Sequence, residues 1–326
     1  MHRVGVGFPS RSKVTGGPEM LRELLLSMSR NDEVRNVITT APFTRDVVKR
    51  FVPGENTEAA VSATQALAAD NLYVTIDRLG EDVFEATQAS ATVVAYEQLL
   101  KALGDSGLGH RAEVSVKLSA VGQSLGDDQA TLDNARRICQ AAANIGTSVT
   151  LDMEDHTTTD ATLGTLHDLR KDFPFVGAVV QSYLFRTEED CRALAYEGSR
   201  VRLCKGAYKE PESVAYQDKL DVDLSYVRCM RILLEGKGYP MFATHDPRMV
   251  EIAKSLVESS GRAKDSFEFQ MLYGIRPEEQ KLLAAEGYKT RIYVPYGDDW
   301  YGYFMRRLAE RPANVMFFAR SLMSKN

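Results

Sequence analysis

Hydrophobic positions fall into two rhythms along this chain. Up to about residue 70 they recur at helical spacing: Leu21, Leu24, Leu25 and Met28 line one stripe, and Phe51-Val52-Pro53-Gly54 interrupts the pattern. Beyond that break, short apolar runs alternate with helix-length segments. The runs predict strands over 72–77, 114–119, 148–152, 176–181, 200–205, 241–245, 267–271 and 291–295. Helix-length connections make consecutive strands pair parallel through right-handed crossovers. Eight such repeats are better explained by a closed (βα)8 barrel than by an open doubly wound sheet, which is the alternative. The expected architecture is α/β: a TIM-like barrel with N-terminal helices over residues 19–326, after a flexible Gly-, Ser- and Pro-rich extension at 1–18. Within that extension Val4-Gly5-Val6-Gly7 is a poor dinucleotide fingerprint, because position 10 is Ser and Gly16-Gly17-Pro18 replaces the expected helix. Met20 is an alternative start.

In such a barrel chemistry sits at the C-terminal ends of the strands, so polar residues there carry weight. Alternation over 114–119 sets Ser115, Lys117 and Ser119 against Val114, Val116 and Leu118. A lysine on that face is paired, solvated or, in an aldolase-like scheme, a Schiff base. Asp152 and Glu154 share a face, and Asp155-His156 continue into the loop. With His245 these residues invite a metal reading, set against a network of loop hydrogen bonds and caps. Arg202 and Lys205 stand beside Gly206-Ala207-Tyr208, an arrangement that suits an anionic cofactor group or pairing with neighbouring acids. His245, after Thr244, fits a hydrogen-bonded structural role. Asp298-Asp299 supplies capping chemistry for a helix on which Tyr303, Arg306, Arg307 and Glu310 share one face. Glu310 would brace Arg306, and two adjacent guanidiniums either hold a carboxylate or form a solvated basic face.

Composition narrows the classes. Lys plus Arg number 40 against 45 Asp plus Glu, a net charge of -5, so no basic excess points to nucleic acid. At 44% hydrophobic the chain buries one large core or two modest ones. Cys139, Cys191, Cys204 and Cys229 lack paired CxxC spacing, which speaks against a zinc ribbon or a disulfide framework and for a reducing cytoplasm. No apolar run reaches membrane-spanning length and no leader is evident; peripheral contact with the inner face of the plasma membrane stays open.

Several segments, in order and one per strand, carry a resemblance: Asp77-Arg78-Leu79-Gly80-Glu81, Val116-Lys117-Leu118-Ser119-Ala120, Leu151-Asp152-Met153-Glu154-Asp155, Arg202-Leu203-Cys204-Lys205-Gly206-Ala207-Tyr208, Phe242-Ala243-Thr244-His245, Phe269-Gln270-Met271-Leu272-Tyr273-Gly274, Arg291-Ile292-Tyr293-Val294-Pro295 and Tyr303-Phe304-Met305-Arg306-Arg307-Leu308-Ala309-Glu310. Together, over about residues 20 to 326, they resemble the proline dehydrogenase family. The resemblance implies an FAD-containing (βα)8 barrel with a final helix over its mouth. It also implies oxidation of L-proline to Δ1-pyrroline-5-carboxylate by hydride transfer to FAD, electrons passing to a quinone. On this mapping Lys117, Arg306 and Arg307 hold the substrate carboxylate, and Ala207, Tyr208, Leu272, Tyr293 and Tyr303 shape the pocket. Asp152 and Arg202 take catalytic positions. Met153, Gln181, Arg202, Lys205, Gly206, Ala207, Thr244, His245 and Gln270 match positions that contact FAD, and Glu81 matches a gate acid that exchanges with the ligand for Arg306. Bifunctional relatives add an aldehyde dehydrogenase domain that has no counterpart here, so the product is expected to pass to a separate pyrroline-5-carboxylate dehydrogenase. A metal-dependent barrel hydrolase and a non-catalytic carboxylate-binding barrel are the other readings.

Overall fold

A computed structural model describes residues 44–80 and 83–310. The chain divides into two compact units, residues 49–300 and residues 1–48 with 301–326. Among the described residues no helix is long and apolar enough to cross a membrane.

The first unit holds all eight expected strands: β1 (Tyr73–Arg78), β2 (Ala112–Lys117), β3 (Val149–Asp152), β4 (Ala178–Gln181), β5 (Arg200–Cys204), β6 (Tyr239–Ala243), β7 (Glu268–Leu272) and β8 (Thr290–Tyr296). They are parallel, in the order β3-β2-β1-β8-β7-β6-β5-β4. The ring closes between β3 and β4 through a single bridge from Thr150 to Gly177, where Gly177 N–H donates to Val149 O (2.7 Å) and Leu151 N–H to Gly177 O (3.0 Å). Only glycine fits there, since a Cβ on residue 177 would lie 2.8 Å from Thr150 Oγ1. Closure selects the barrel over the open sheet.

Helices α1 (Thr44–Lys49) and α2 (Thr57–Ala69) precede β1, and the expected break at residues 51–54 separates them. Outside the strands lie α3 (Ala86–Asp105), α4 (Asp128–Asn144), α5 (Thr159–Arg170), α6 (Thr187–Leu194), α7 (Lys219–Glu235), α8 (Pro247–Ser260) and α9 (Pro277–Ala285). The apolar core is the layer between strands and helices: Ile76, Val114, Leu151 and Val294 pack with Val93, Leu99 and Ile138, and Leu203, Phe242 and Phe269 pack with Met230, Leu233 and Val250. Period-2 alternation sends the other side chains inward, and here they are polar. Thr75, Asp77, Glu113, Ser115, Thr150, Arg202, Glu268, Gln270 and Arg291 are all buried.

Two strands are displaced from expectation by two residues at both ends. β2 stops at Lys117, and Ser119–Val121 forms a 3-10 turn, which takes Ser119 off the inward face. β6 begins at Tyr239 and ends at Ala243, leaving Thr244 and His245 in the following loop, where Asp246 caps α8 ahead of Pro247.

The second unit is described for part of α1 and for nearly all of α10 (Trp300–Glu310), which starts directly after Asp299 as expected. Phe304, Met305 and Leu308 are buried on one side of this helix, whereas Arg306 and Arg307 are half-buried. Arg307 stacks over the Tyr303 ring at 4.9 Å. Residues 1–18, Glu81 and the Glu310 side chain lie outside what is described.

Candidate active site

Two layers of charge fill the barrel interior. Near the N-terminal ends of the strands Glu113 is fully buried and accepts from Arg200 (2.6 Å), Thr75 (2.8 Å) and Ser148 (2.8 Å), while Glu268 accepts from Arg291 (2.6 Å) and from Gln270 Nε2 (2.6 Å). Burial alone would raise the Glu113 carboxyl, but Arg291, Arg200 and Arg202 around it hold it well below the usual carboxylate range.

Above this floor the strand ends converge on Asp152. Its Oδ1 accepts from Arg202 Nη1 (2.6 Å) and Ser115 Oγ (2.7 Å), and its Oδ2 accepts from the Tyr293 hydroxyl (2.6 Å). Burial opposes the charge on Arg202, yet Asp152 and Glu113 more than compensate and keep its guanidinium more basic than usual. Gln270 Oε1 accepts from Arg202 Nε at 2.6 Å, so Gln270 links Glu268 in the floor to Arg202 at the rim. The Tyr293 hydroxyl is pushed well above its ordinary value by burial and then by Asp152.

Lys117, at the tip of β2, donates to both oxygens of Asp77 (2.9 and 3.1 Å). The lysine read from alternation is therefore an inward-facing ion-pair member. Its partner appeared in sequence only as part of a motif. Burial and the like charge of Asp152 push the Asp77 carboxyl above its ordinary value, with Lys117 pulling the other way. Cys204, one turn of alternation beyond Arg202, has a thiol pushed up to about 11 by burial and is not a thiolate nucleophile at neutral pH.

Along the β4 to β7 side the predicted positions gather as neighbours. Gln181 is buried and donates to Met153 O (3.4 Å). Lys205 pairs with Asp223 (2.5 Å) and with the α8 cap Asp246 (3.2 Å). Gly206 adopts φ +114° against the Tyr183 ring, a place closed to any Cβ. Thr244 N–H donates to Gln270 O, and Thr244 Oγ1 accepts from Asp246 N–H. His245 Nε2 accepts from Leu272 N–H (2.8 Å), which places the proton of a neutral ring on Nδ1, and Gln280 donates to Leu272 O (3.0 Å). Leu272 is thus clamped at both ends of its backbone. Ala207 and Tyr208 are exposed in the loop after β5. Tyr303, Arg306 and Arg307 belong to the second unit.

The metal reading does not survive the geometry. Asp152 is committed to Arg202, Ser115 and Tyr293, while Glu154 accepts from Ser119 N–H (3.1 Å) and Oγ (2.6 Å). His156 pairs with Glu210, and His245 with Leu272. No group of three or more ligating side chains assembles among the described residues.

Sequence reading missed Asp77, Glu113, Ser115 as a ligand of Asp152, and Gln280. The pairing that Lys117 requires was the available signal for Asp77. For Glu113 the signal was misleading, since a glutamate just ahead of an apolar run reads as a loop end.

Comparison with known proteins bears on what this arrangement serves. The family model described as proline dehydrogenase matches residues 60–320. A proline dehydrogenase of Deinococcus radiodurans is 40% identical over 309 residues, covering 94% of this chain and 98% of that one. Proline dehydrogenase 1 of Bacillus subtilis is 40% identical over 308 residues, covering 94% of this chain and 100% of that one. Among solved structures, proline utilization A (PutA) of Bdellovibrio bacteriovorus superposes with a TM-score of 0.78 at 25% identity, over 89% of this chain and 36% of the other; this chain spans about a third of that protein. With the barrel, the order of its motifs and these relatives in agreement, the chain belongs to the proline dehydrogenase family.

Proposed function

We propose that the chain is an L-proline dehydrogenase, oxidising proline to Δ1-pyrroline-5-carboxylate in proline catabolism, with FAD as the hydride acceptor and a quinone as the final electron acceptor. The observation that carries this reading is the rim cluster of Lys117, Asp152, Arg202 and Tyr293 at the C-terminal ends of the strands. Enzymes of this family are flavin-dependent.

The interior suits a flavin edge. Gln181 Oε1 is buried without a hydrogen-bond partner, an acceptor left over at the end of β4. The N–H of a flavin pyrimidine edge would present the complement. Gln181, Arg202, Lys205, Gly206, Thr244 and His245 would hold FAD, which supplies hydride acceptance when bound. Arg202, kept cationic by Asp152 and Glu113, offers fixed positive charge where electron density would accumulate. Lys117 offers an ammonium to a carboxylate.

Arg306 and Arg307 are assigned to the same carboxylate, Tyr303 to the pocket wall and Glu81 to a gate, on the sequence resemblance of their segments. The product, a cyclic imine, passes to a separate pyrroline-5-carboxylate dehydrogenase, and the enzyme works in the cytoplasm, where it meets quinone at the membrane surface.

Anaerobic titration of the purified protein with L-proline tests the reading: the flavin absorption band bleaches. A flavin-free protein indifferent to proline would sink it. Replacement of Arg307 by Met raises KM for proline with a loss of about 2–4 kcal/mol in kcat/KM, measured by steady-state kinetics; an unchanged KM removes Arg307 from the carboxylate site.

A further inference from the structure

We propose that Asp77 is the proton acceptor of the reaction, taking the ammonium proton from the substrate nitrogen while Lys117 transfers its hydrogen bonds to the substrate carboxylate. The inference rests on the proline reading above. It starts from a chemical requirement: proline at neutral pH carries a secondary ammonium whose nitrogen has no lone pair to assist departure of hydride from C5. One N–H must break first.

Two carboxylates among the described rim residues compete for that proton, and the structure separates them. Asp152 already receives three donors, Arg202 and Ser115 on one oxygen and Tyr293 on the other, so three of its four lone-pair sites are taken and none of these donors is one that the substrate carboxylate would draw away. Asp77 is 2% exposed and is held by Lys117 Nζ at 2.9 and 3.1 Å. Among the described residues, Lys117 from β2, Asp152 from β3, Tyr293 and Tyr296 from β8 and Tyr96 from α3 are the titratable groups that face it. Only Lys117 among them is a cation, and Asp152 adds a second negative charge. Burial beside a like charge favours the protonated acid, in keeping with its raised proton affinity.

Substrate binding sharpens the contrast. A carboxylate arriving at Lys117 draws the ammonium away from Asp77 and leaves that acid less compensated. Its affinity for a proton therefore rises when a proton has to be accepted. In the step itself an N–H bond of the substrate breaks and an O–H bond forms on Asp77. The freed lone pair then builds the C5=N bond as hydride leaves C5 for the flavin, giving the pyrroline protonated on nitrogen. Atoms and charge balance, and Lys117 remains an ammonium throughout. Tyr96 keeps the two strands in register for this exchange, its hydroxyl accepting from Arg78 N–H (3.2 Å) and donating to Ser115 O (2.7 Å).

The test compares wild type, Asp77→Asn and Asp77→Glu in the FAD-loaded enzyme, reading kcat/KM for L-proline against pH and the Kd of a five-membered ring carboxylate with oxygen in place of nitrogen. Asp77→Asn loses roughly 100-fold or more at neutral pH. The deficit shrinks by about tenfold per pH unit as the solution supplies substrate with its amine already deprotonated. The same variant binds the ring carboxylate as well as wild type or better, and Asp77→Glu keeps the wild-type profile shape. A deficit equal at every pH, a loss confined to the Kd of the ring carboxylate, or an Asp77→Glu profile like that of Asp77→Asn overturns the assignment and leaves Asp77 as a residue that positions Lys117. A wild-type enzyme whose flavin is not bleached by proline overturns the substrate reading and this proposal together.

Discussion

The floor and the rim of this barrel are built from the same residue types and behave in opposite ways. In the floor Glu113 and Glu268 have side chains that are 0% exposed, and cations surround them: Arg200 and Arg291 make direct ion pairs, and Arg202 lies within 3.6 Å of Glu113. At the rim, among the described residues, Asp77 and Asp152 look onto one lysine and share one arginine with the floor, and the Lys117 and Asp152 side chains are 11% and 12% exposed. Burial penalises the charge on Glu113, Glu268 and Asp77 alike. The ratio of cations to anions decides the outcome, depressing the Glu113 carboxyl and raising that of Asp77. An acid held ionised by several arginines is a structural element, whereas an acid held by a single transferable ammonium is poised for chemistry.

Removing the floor acid is the harshest way to break this contrast. Glu113→Gln leaves Arg200 and Arg291 without their shared carboxylate, and denaturant unfolding reports a loss of about 3–5 kcal/mol. A loss below about 1 kcal/mol would mean that water or Glu268 takes over, and the floor would no longer count as a structural ion cluster.

Arg202 joins the layers, touching Glu113 below and Asp152 above, and its replacement shows which layer it serves. Arg202→Lys keeps the charge and loses the fork that reaches Asp152, Ser115 and Gln270 together. We expect kcat to fall about 100-fold, the scale of one lost electrostatic contact at the reacting centre, with a smaller change in melting temperature. A collapse in stability with kcat preserved per folded molecule would assign Arg202 to the floor.

The gentlest probe is acid. Glu113 is depressed in the folded state, so its contribution to stability is complete above the unfolded value of 4.5 and is lost as pH falls through the folded value. Asp77 is raised, so in the window just above 3.8 the folded state binds the extra proton and wild type gains stability as pH falls. In unfolding measurements taken down from neutral pH, the balance of wild type against Asp77→Asn improves in the window just above 3.8, whereas its advantage over Glu113→Gln holds down to 4.5 and narrows only below it. Both differences moving in the same direction would show that the two acids do not differ in kind.

Much of this was legible beforehand because a barrel strand obeys a period of two. Alternation alone set Ser115 and Lys117 inward, the strand ends drew attention to Asp152 and Arg202, and the family resemblance named Gln270 and Tyr293; the last four meet in one hydrogen-bonded cluster. Alternation failed where the chain leaves the sheet. Ser119 and Glu154 each follow one or two residues past a strand end, and they bond to each other across the loops rather than into the site. It failed again for the floor, because hydropathy treats Glu113, Glu268 and Arg291 as surface residues. Their burial makes sense only once the ring closes and brings them together from β2, β7 and β8.

That ring is not equally strong all round. Neighbouring strands elsewhere share runs of several paired residues, whereas β3 and β4 meet at one glycine. Mechanically the barrel is a hoop with one lightly fastened stave, and the joint falls between the strand that ends in Asp152 and the strand that ends in Gln181. Any widening of the cylinder is concentrated at this joint, between Asp152 and Gln181, while the seam between β1 and β8 holds Asp77 and Tyr293 at fixed spacing.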